Sequence, residues 1–268
     1  MSIITKPLPN IARRRFMTAA TLGISGMTLS GCNAFDRLLD RDDAVRNVLE
    51  KANSLTYRMQ RLLGGGHSMA KEFAESEIRQ GQRANGDTDP TDEDYVALKD
   101  GGFKDYKLEV AGLVNKPQSF SLIDLKAMPS RTQITRHDCV EGWSCIAKWT
   151  GAPLAKILDI VDVQDKARYL VFECFDTIDE SLSGSIKYYE SHDLIDARHE
   201  QTILAYGMNG KDLPVENGAP LRLRVERNLG YKMAKYIRKI TLVDDLAPFG
   251  QGGGGYWEDA GYDWYGGI

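Results

Sequence analysis

The sequence predicts an α+β fold, mostly mixed β with short helices, with an N-terminal helical arm. Short runs of alternating apolar and polar residues recur between residues 106 and 243. The helical patterns between them are short and the loops irregular, which argues against a doubly wound sheet. One long amphipathic pattern stands apart, ahead of these strands.

The first 31 residues do not read as part of the fold. Arg13-Arg14-Arg15-Phe16-Met17 precedes an apolar, small-residue stretch, and no acidic residue occurs before Asp36. This is the pattern of a twin-arginine (Tat) export signal. Leu29-Ser30-Gly31-Cys32 reads as a lipobox, so the expectation is a periplasmic protein exported by Tat and lipid-anchored through Cys32. Tat substrates cross the membrane folded, which raises the expectation of a preloaded cofactor.

From residue 42 to 63, Val45, Val48, Leu49, Ala52, Leu55, Met59, Leu62 and Leu63 recur at helical spacing. Gly64-Gly65-Gly66 stops that helix, and a second is predicted over 68–79. Residues 80–103 are polar, with Pro90, and read as a long loop. Together 32–104 form a helical arm and loop.

The core domain is predicted over 105–246. Residues 106–110 alternate as a strand. Ser121 caps a short helix with Leu122, Leu125 and Met128 inward. A strand over 134–139 is followed by a turn at Trp149-Thr150-Gly151 and a helix over 153–161 with Pro153 in its first turn. Further strands are predicted over 168–175, 202–206 with an Asn209-Gly210 hairpin turn, 221–225 and 236–243. Residues 247–268 form a Gly/aromatic C-terminal tail held by its aromatics.

The formal net charge of −4 becomes −8 once residues 1–31 are removed, since Lys6 and the three arginines go and no acids do. That excludes a basic nucleic-acid-binding surface as the theme, and no nucleic-acid partner is expected. Four cysteines are present: Cys32, Cys139, Cys145 and Cys174. With Cys32 lipidated, three remain, which cannot all pair within the chain. Cys139 as a soft thiolate ligand is one solution, and a Cys139–Cys145 disulfide is the other. On local chemistry alone the two stand level.

The motifs then add a resemblance. Cys139-Val140-Glu141-Gly142-Trp143-Ser144 with Trp149-Thr150-Gly151-Ala152-Pro153-Leu154 resembles the molybdenum-binding segment of the sulfite oxidase family. Asn217-Gly218-Ala219-Pro220-Leu221-Arg222-Leu223 followed by Gly230-Tyr231-Lys232-Met233-Ala234-Lys235 is similar to its second signature. The resemblance covers roughly residues 105–245 and is nearest to bacterial periplasmic members, including methionine-sulfoxide reductase catalytic subunits. It implies a sulfite oxidase-type molybdopterin-binding fold carrying molybdopterin with molybdenum (Mo). Cys139 would be the metal's protein ligand and the catalytic residue. Asn217 and Arg222 would hold the pterin, and Gly230, Tyr231 and Lys232 its phosphate. Lys235 reads instead as part of a solvated basic face. Cys174 stands where the pattern has a threonine touching the cofactor. Asn85 stands for an N-terminal asparagine reaching the pterin, without the Tyr-Glu that follows it in the pattern. The acidic stretch after Cys174, with Asp176, Asp179 and Glu180, reads as a loop at the substrate mouth. His137 reads as a hydrogen-bonded histidine beside the metal ligand, and Arg136 and Arg168 are candidates for an anion site by charge alone.

The resulting expectation is an exported molybdopterin-dependent oxidoreductase. It would transfer an oxygen atom to or from a small, possibly sulfur-containing, substrate. No Cys-x-x-Cys-His haem motif or iron–sulfur cysteine set is present. Electrons are therefore expected to pass through a separate redox partner, a membrane cytochrome b or a soluble cytochrome c. The alternative is a sulfite oxidase-fold interaction module lacking catalytic activity.

Overall fold

The computed structural model describes residues 44–64, 67–181 and 184–268. The export signal, the lipobox and Cys32 lie outside these. The chain divides into two compact units, residues 1–55 and 56–268. Within the first, only the opening half of helix α1 (Ala44–Gly64) is described. No described helix is long and apolar enough to cross a membrane.

The second unit is built on two five-stranded sheets. The first has the order β2-β1-β10-β5-β6. It comprises β1 (Lys107–Gly112), β2 (Gln118–Ser121), β5 (Tyr169–Ser181), β6 (Gly184–Asp193) and β10 (Ile237–Val243). Strand β1 runs parallel to β10, and the other pairs are antiparallel. The second sheet has the order β3-β4-β7-β8, with β9 also on β7. Its strands are β3 (Arg131–Cys139), β4 (Trp143–Pro153), β7 (Ile203–Met208), β8 (Lys211–Asp212) and β9 (Arg222–Arg224). The mixed α+β prediction therefore holds.

One apolar core joins the sheets. Leu108, Val110, Phe120, Leu170, Phe172, Ile240 and Leu242 of the first sheet meet Ala152, Leu204 and Leu223 of the second. Helix α4 (Leu154–Val161) adds Leu154, Ile157, Leu158 and Val161, the three-and-four spacing of one buried face. A smaller cluster, including Ala147, Trp149, Ile203 and Met208, forms separately. Helix α3 (Leu122–Ala127) has the predicted Ser121 cap, whose hydroxyl accepts from Asp124 N at 3.1 Å. Asn209 and Gly210 both take positive φ, 51° and 78°, as a two-residue hairpin turn between β7 and β8 demands.

Four predicted elements differ. The helix expected over 68–79 is an extended segment with one 3-10 turn, Glu75–Glu77. Its backbone donates from Phe73 to Ile134 O and from Arg79 to Ile146 O, so sheet contacts displace helical bonds. The loop expected over 80–103 contains helix α2 (Glu93–Asp100), capped by Asp92 accepting from Tyr95 N at 3.0 Å. The turn expected at Trp149-Thr150-Gly151 is strand, because β4 runs unbroken to Pro153. The acidic stretch read as a loop is the outer half of β5, paired with β6.

Candidate active site

Strand β3 ends at Cys139, paired across a tight turn with Trp143 of β4. Gly142 closes that turn with φ 83°, its N–H donating to Cys139 O at 3.0 Å. The thiol opens into a cavity of about 150 Å³. Burial pushes its pKa up and the Glu141 carboxylate adds to that, against backbone N–H donation from Glu141 and Val140. Cys139, Cys145 and Cys174 are all free, so the structure holds no Cys139–Cys145 bond.

The 3-10 turn Gly230–Lys232 lies against β3 beside the cysteine. A Cβ on Gly230 would sit 2.5 Å from His137 Nε2, so only glycine lets the turn approach this closely. Gly230 and Tyr231 line the cavity, as does Asn85. Gly218, at φ 109°, brings the Asn217 turn onto the side chains of Arg222 and Lys235, where a Cβ would meet Lys235 Cβ at 2.9 Å. The buried Arg222 donates from Nη1 to Asn217 O at 2.9 Å, and its guanidinium lies 4.9 Å from the Trp149 ring centre.

The two lysines of the second motif differ in their surroundings, and Lys235 departs from the solvated place expected of it. Lys232 is fully buried, with Nζ 2.5 Å from both Glu190 Oε1 and Glu258 Oε1, and does not line the cavity. Lys235, expected in solvent, is 5% exposed, lines the cavity and donates to Asn85 O and Asp87 O. Burial, then the neighbouring Arg222 charge, lowers its pKa to about 8. The sequence offered two lysines three residues apart and no local signal to separate them.

Cys174 is buried in the first sheet opposite Ile237 and does not line the cavity. Burial pushes its thiol well up, and Asp176 adds to that. Arg136 is on the surface with Asp138, and Arg168 bonds the carbonyls of Asp165 and Ala167; neither lines the cavity. Asp176, expected at the substrate mouth as part of the acidic stretch, does line it, as do Trp257 and Tyr262, which were not singled out from the sequence. Asp176 is buried with Oδ1 unpartnered, and burial raises its pKa to about 7.

Several buried atoms lack partners within the protein: Arg222 Nε and Nη2, Trp149 Nε1, His137 Nε2 and Thr135 Oγ1. An unpaired buried guanidinium is costly, and burial followed by the Arg224 charge lowers the Arg222 pKa to about 9. His137 keeps Nδ1 on Arg224 at 3.0 Å, and burial, then that charge, drives its pKa far down, so the ring is neutral. These donors, with Lys235, suit an anionic ligand rich in acceptors, and a phosphorylated pterin fits that description. Among the described residues no cluster of three or more His, Cys, Asp or Glu could hold a metal ion. A metal here would take Cys139 from the protein and the rest of its ligands from the cofactor.

Comparison with known proteins agrees with this chemistry. The oxidoreductase molybdopterin-binding domain matches residues 96–248. The subunit named YedZ1 from Azospira oryzae is 35% identical over 261 residues, 96% of this chain and 88% of that protein. The protein-methionine-sulfoxide reductase catalytic subunit MsrP of Ralstonia nicotianae is 36% identical over 53% of this chain. The chain spans about half of that relative's length, 45%. The sulfane dehydrogenase SoxCD structure from Paracoccus pantotrophus matches with a TM-score of 0.46 and 26% identity, over 53% of this chain and 39% of that one. With a domain match over more than half its length and a relative 35% identical over 96% of it, the chain belongs to the sulfite oxidase-like family of molybdopterin-binding oxidoreductases.

Proposed function

We propose that this protein is the catalytic subunit of an exported, lipid-anchored molybdenum enzyme that reduces small S-oxides with electrons from a separate cytochrome. The observation that carries the cofactor assignment is the buried Arg222 guanidinium, with two unpartnered nitrogens beside Lys235. When bound, molybdopterin with molybdenum supplies two-electron oxygen-atom transfer. Cys139 would ligate the metal. Arg222, Lys235 and Asn217 would hold and orient the pterin and its phosphate.

The cavity is lined by charges of both signs, Glu141 and Asp176 with Lys235, whose Nζ is engaged by backbone carbonyls. Reduction consumes two electrons and two protons, R2SO + 2H⁺ + 2e⁻ → R2S + H2O. Asp176, with a pKa of about 7, can carry a proton into the cavity near neutral pH. The separate electron donor, the export route and the anchor on Cys32 are supported by the sequence patterns above. The names of the MsrP relatives support the S-oxide class. The test is turnover of molybdenum-loaded protein with dimethyl sulfoxide and a reduced dye, against sulfite and an oxidised cytochrome c. Sulfoxide reduction is expected; sulfite oxidation alone would reverse the assignment.

A further inference from the structure

Two cavity-lining aromatics come from the C-terminal tail, beyond residues 96–248 where the family domain matches. Trp257 and Tyr262 stack with ring centres 5.2 Å apart at 31°. Tyr231 meets Tyr262 edge-on at 5.3 Å, and Tyr256 meets Trp257 edge-on at 5.2 Å. Val140, Ile178 and Met233 complete an apolar lining around the same cavity as Cys139.

The tail is fastened at several points. Helix α5 (Tyr256–Asp259) carries Trp257 and Glu258 side by side. Glu258 is buried on Lys232, which also holds Glu190 from β6. Beyond it, Trp264 Nε1 donates to Ser191 Oγ at 2.8 Å, Tyr231 OH to Asp263 O at 2.7 Å, and Leu229 N to Gly266 O at 2.7 Å. Lys232 thus ties the tail to β6 by two charge-assisted bonds, one to Glu258 and one to Glu190.

We infer that the tail is the specificity-determining wall of the site. Trp257 and Tyr262 receive the apolar substituent of an uncharged alkyl or aryl S-oxide, and the Lys232–Glu258 pair is the latch that positions them. This rests on the S-oxide reading above. The chemistry suits the rings: they offer broad apolar faces and favourable contacts to sulfur. Cys139 in the same cavity places the reacting centre near those faces. Because Trp257 and Glu258 are adjacent on one helical turn, loosening Glu258 loosens the ring with it.

The experiment uses molybdenum-loaded protein, methyl phenyl sulfoxide and dimethyl sulfoxide as probes, and Trp257→Ala, Tyr262→Ala and Glu258→Gln variants. Metal and pterin content are measured on each, and methyl phenyl sulfoxide binding is followed by tryptophan fluorescence. For Trp257→Ala and Tyr262→Ala, the kcat/KM ratio of the aryl to the dimethyl substrate is expected to fall about tenfold, mainly through KM. Glu258→Gln should shift it the same way by less. Trp257→Phe should restore most of the ratio, and it replaces the alanine variant in the comparison if that variant does not fold. An unmoved ratio with cofactor retained overturns the inference. So does loss of pterin from a folded Trp257 variant, which would place that ring against the cofactor. If loaded wild-type protein turns over neither sulfoxide, the S-oxide reading itself fails, and the tail assignment with it.

Discussion

Lys232 and Lys235 are three residues apart in one motif and have opposite fates. Lys235 faces the cavity beside Arg222, whereas Lys232 neutralises two buried carboxylates. Lys235→Met should therefore lower molybdopterin content and cost less stability than loss of Lys232, since it frees two carbonyls and no buried carboxylate. Lys232→Met should strand Glu190 and Glu258 and cost about 3–5 kcal/mol. Molybdenum per chain and melting curves, measured on both variants, separate the two roles. Equal cofactor loss in both at unchanged stability would contradict the assignment. Cys139, Asn217 and Arg222 lie in local motifs, which is why the sequence offers them as candidates. Asp176 was legible only as one of an acidic stretch and the tail aromatics not at all, because their facing depends on how β5 pairs and how Glu258 is buried.

At the scale of elements, the close approach of β4 to β7 rests on Gly151. A Cβ there would lie 2.6 Å from Leu204 C and 2.7 Å from Ala205 Cα, where the pairing register shifts. Gly151→Ala should destabilise the protein by about 1–3 kcal/mol through forced strand separation, read as a lowered urea midpoint. An unchanged midpoint would mean the strands give way easily. Strands β1, β7 and β10 and helix α4 were readable from alternation or helical spacing. Helix α2 was hidden among polar residues, although Asp92 with acidic residues at 93 and 94 is a helix-start signal. The extended segment before it looked helical locally and is decided by contacts to β3 and β4.

Across the whole molecule, buried histidine links stability to pH. His192 sits in the core, its Nε2 2.7 Å from Lys232 O, and burial, then the Lys232 charge, lowers its pKa to about 3. Its ordinary value is 6.5. Below that, the unfolded chain takes a proton that the folded chain refuses until about pH 3, so stability falls as pH falls through this window. The slope is about 1.4 kcal/mol per pH unit for this group. His192→Gln should flatten the dependence of the urea midpoint between pH 6 and 4 relative to wild type. A parallel dependence in the two proteins would show that His192 is not held neutral.

We propose that Cys139, with Arg222 and Lys235, holds a molybdenum cofactor. The most direct measurement is molybdenum and pterin content of protein exported by its own signal, beside Cys139→Ser and Arg222→Gln. About one molybdenum per wild-type chain is expected, with an altered metal spectrum in Cys139→Ser and reduced pterin in Arg222→Gln. Well-folded wild-type protein without molybdenum would contradict it and leave the chain as an interaction module on an oxidoreductase fold.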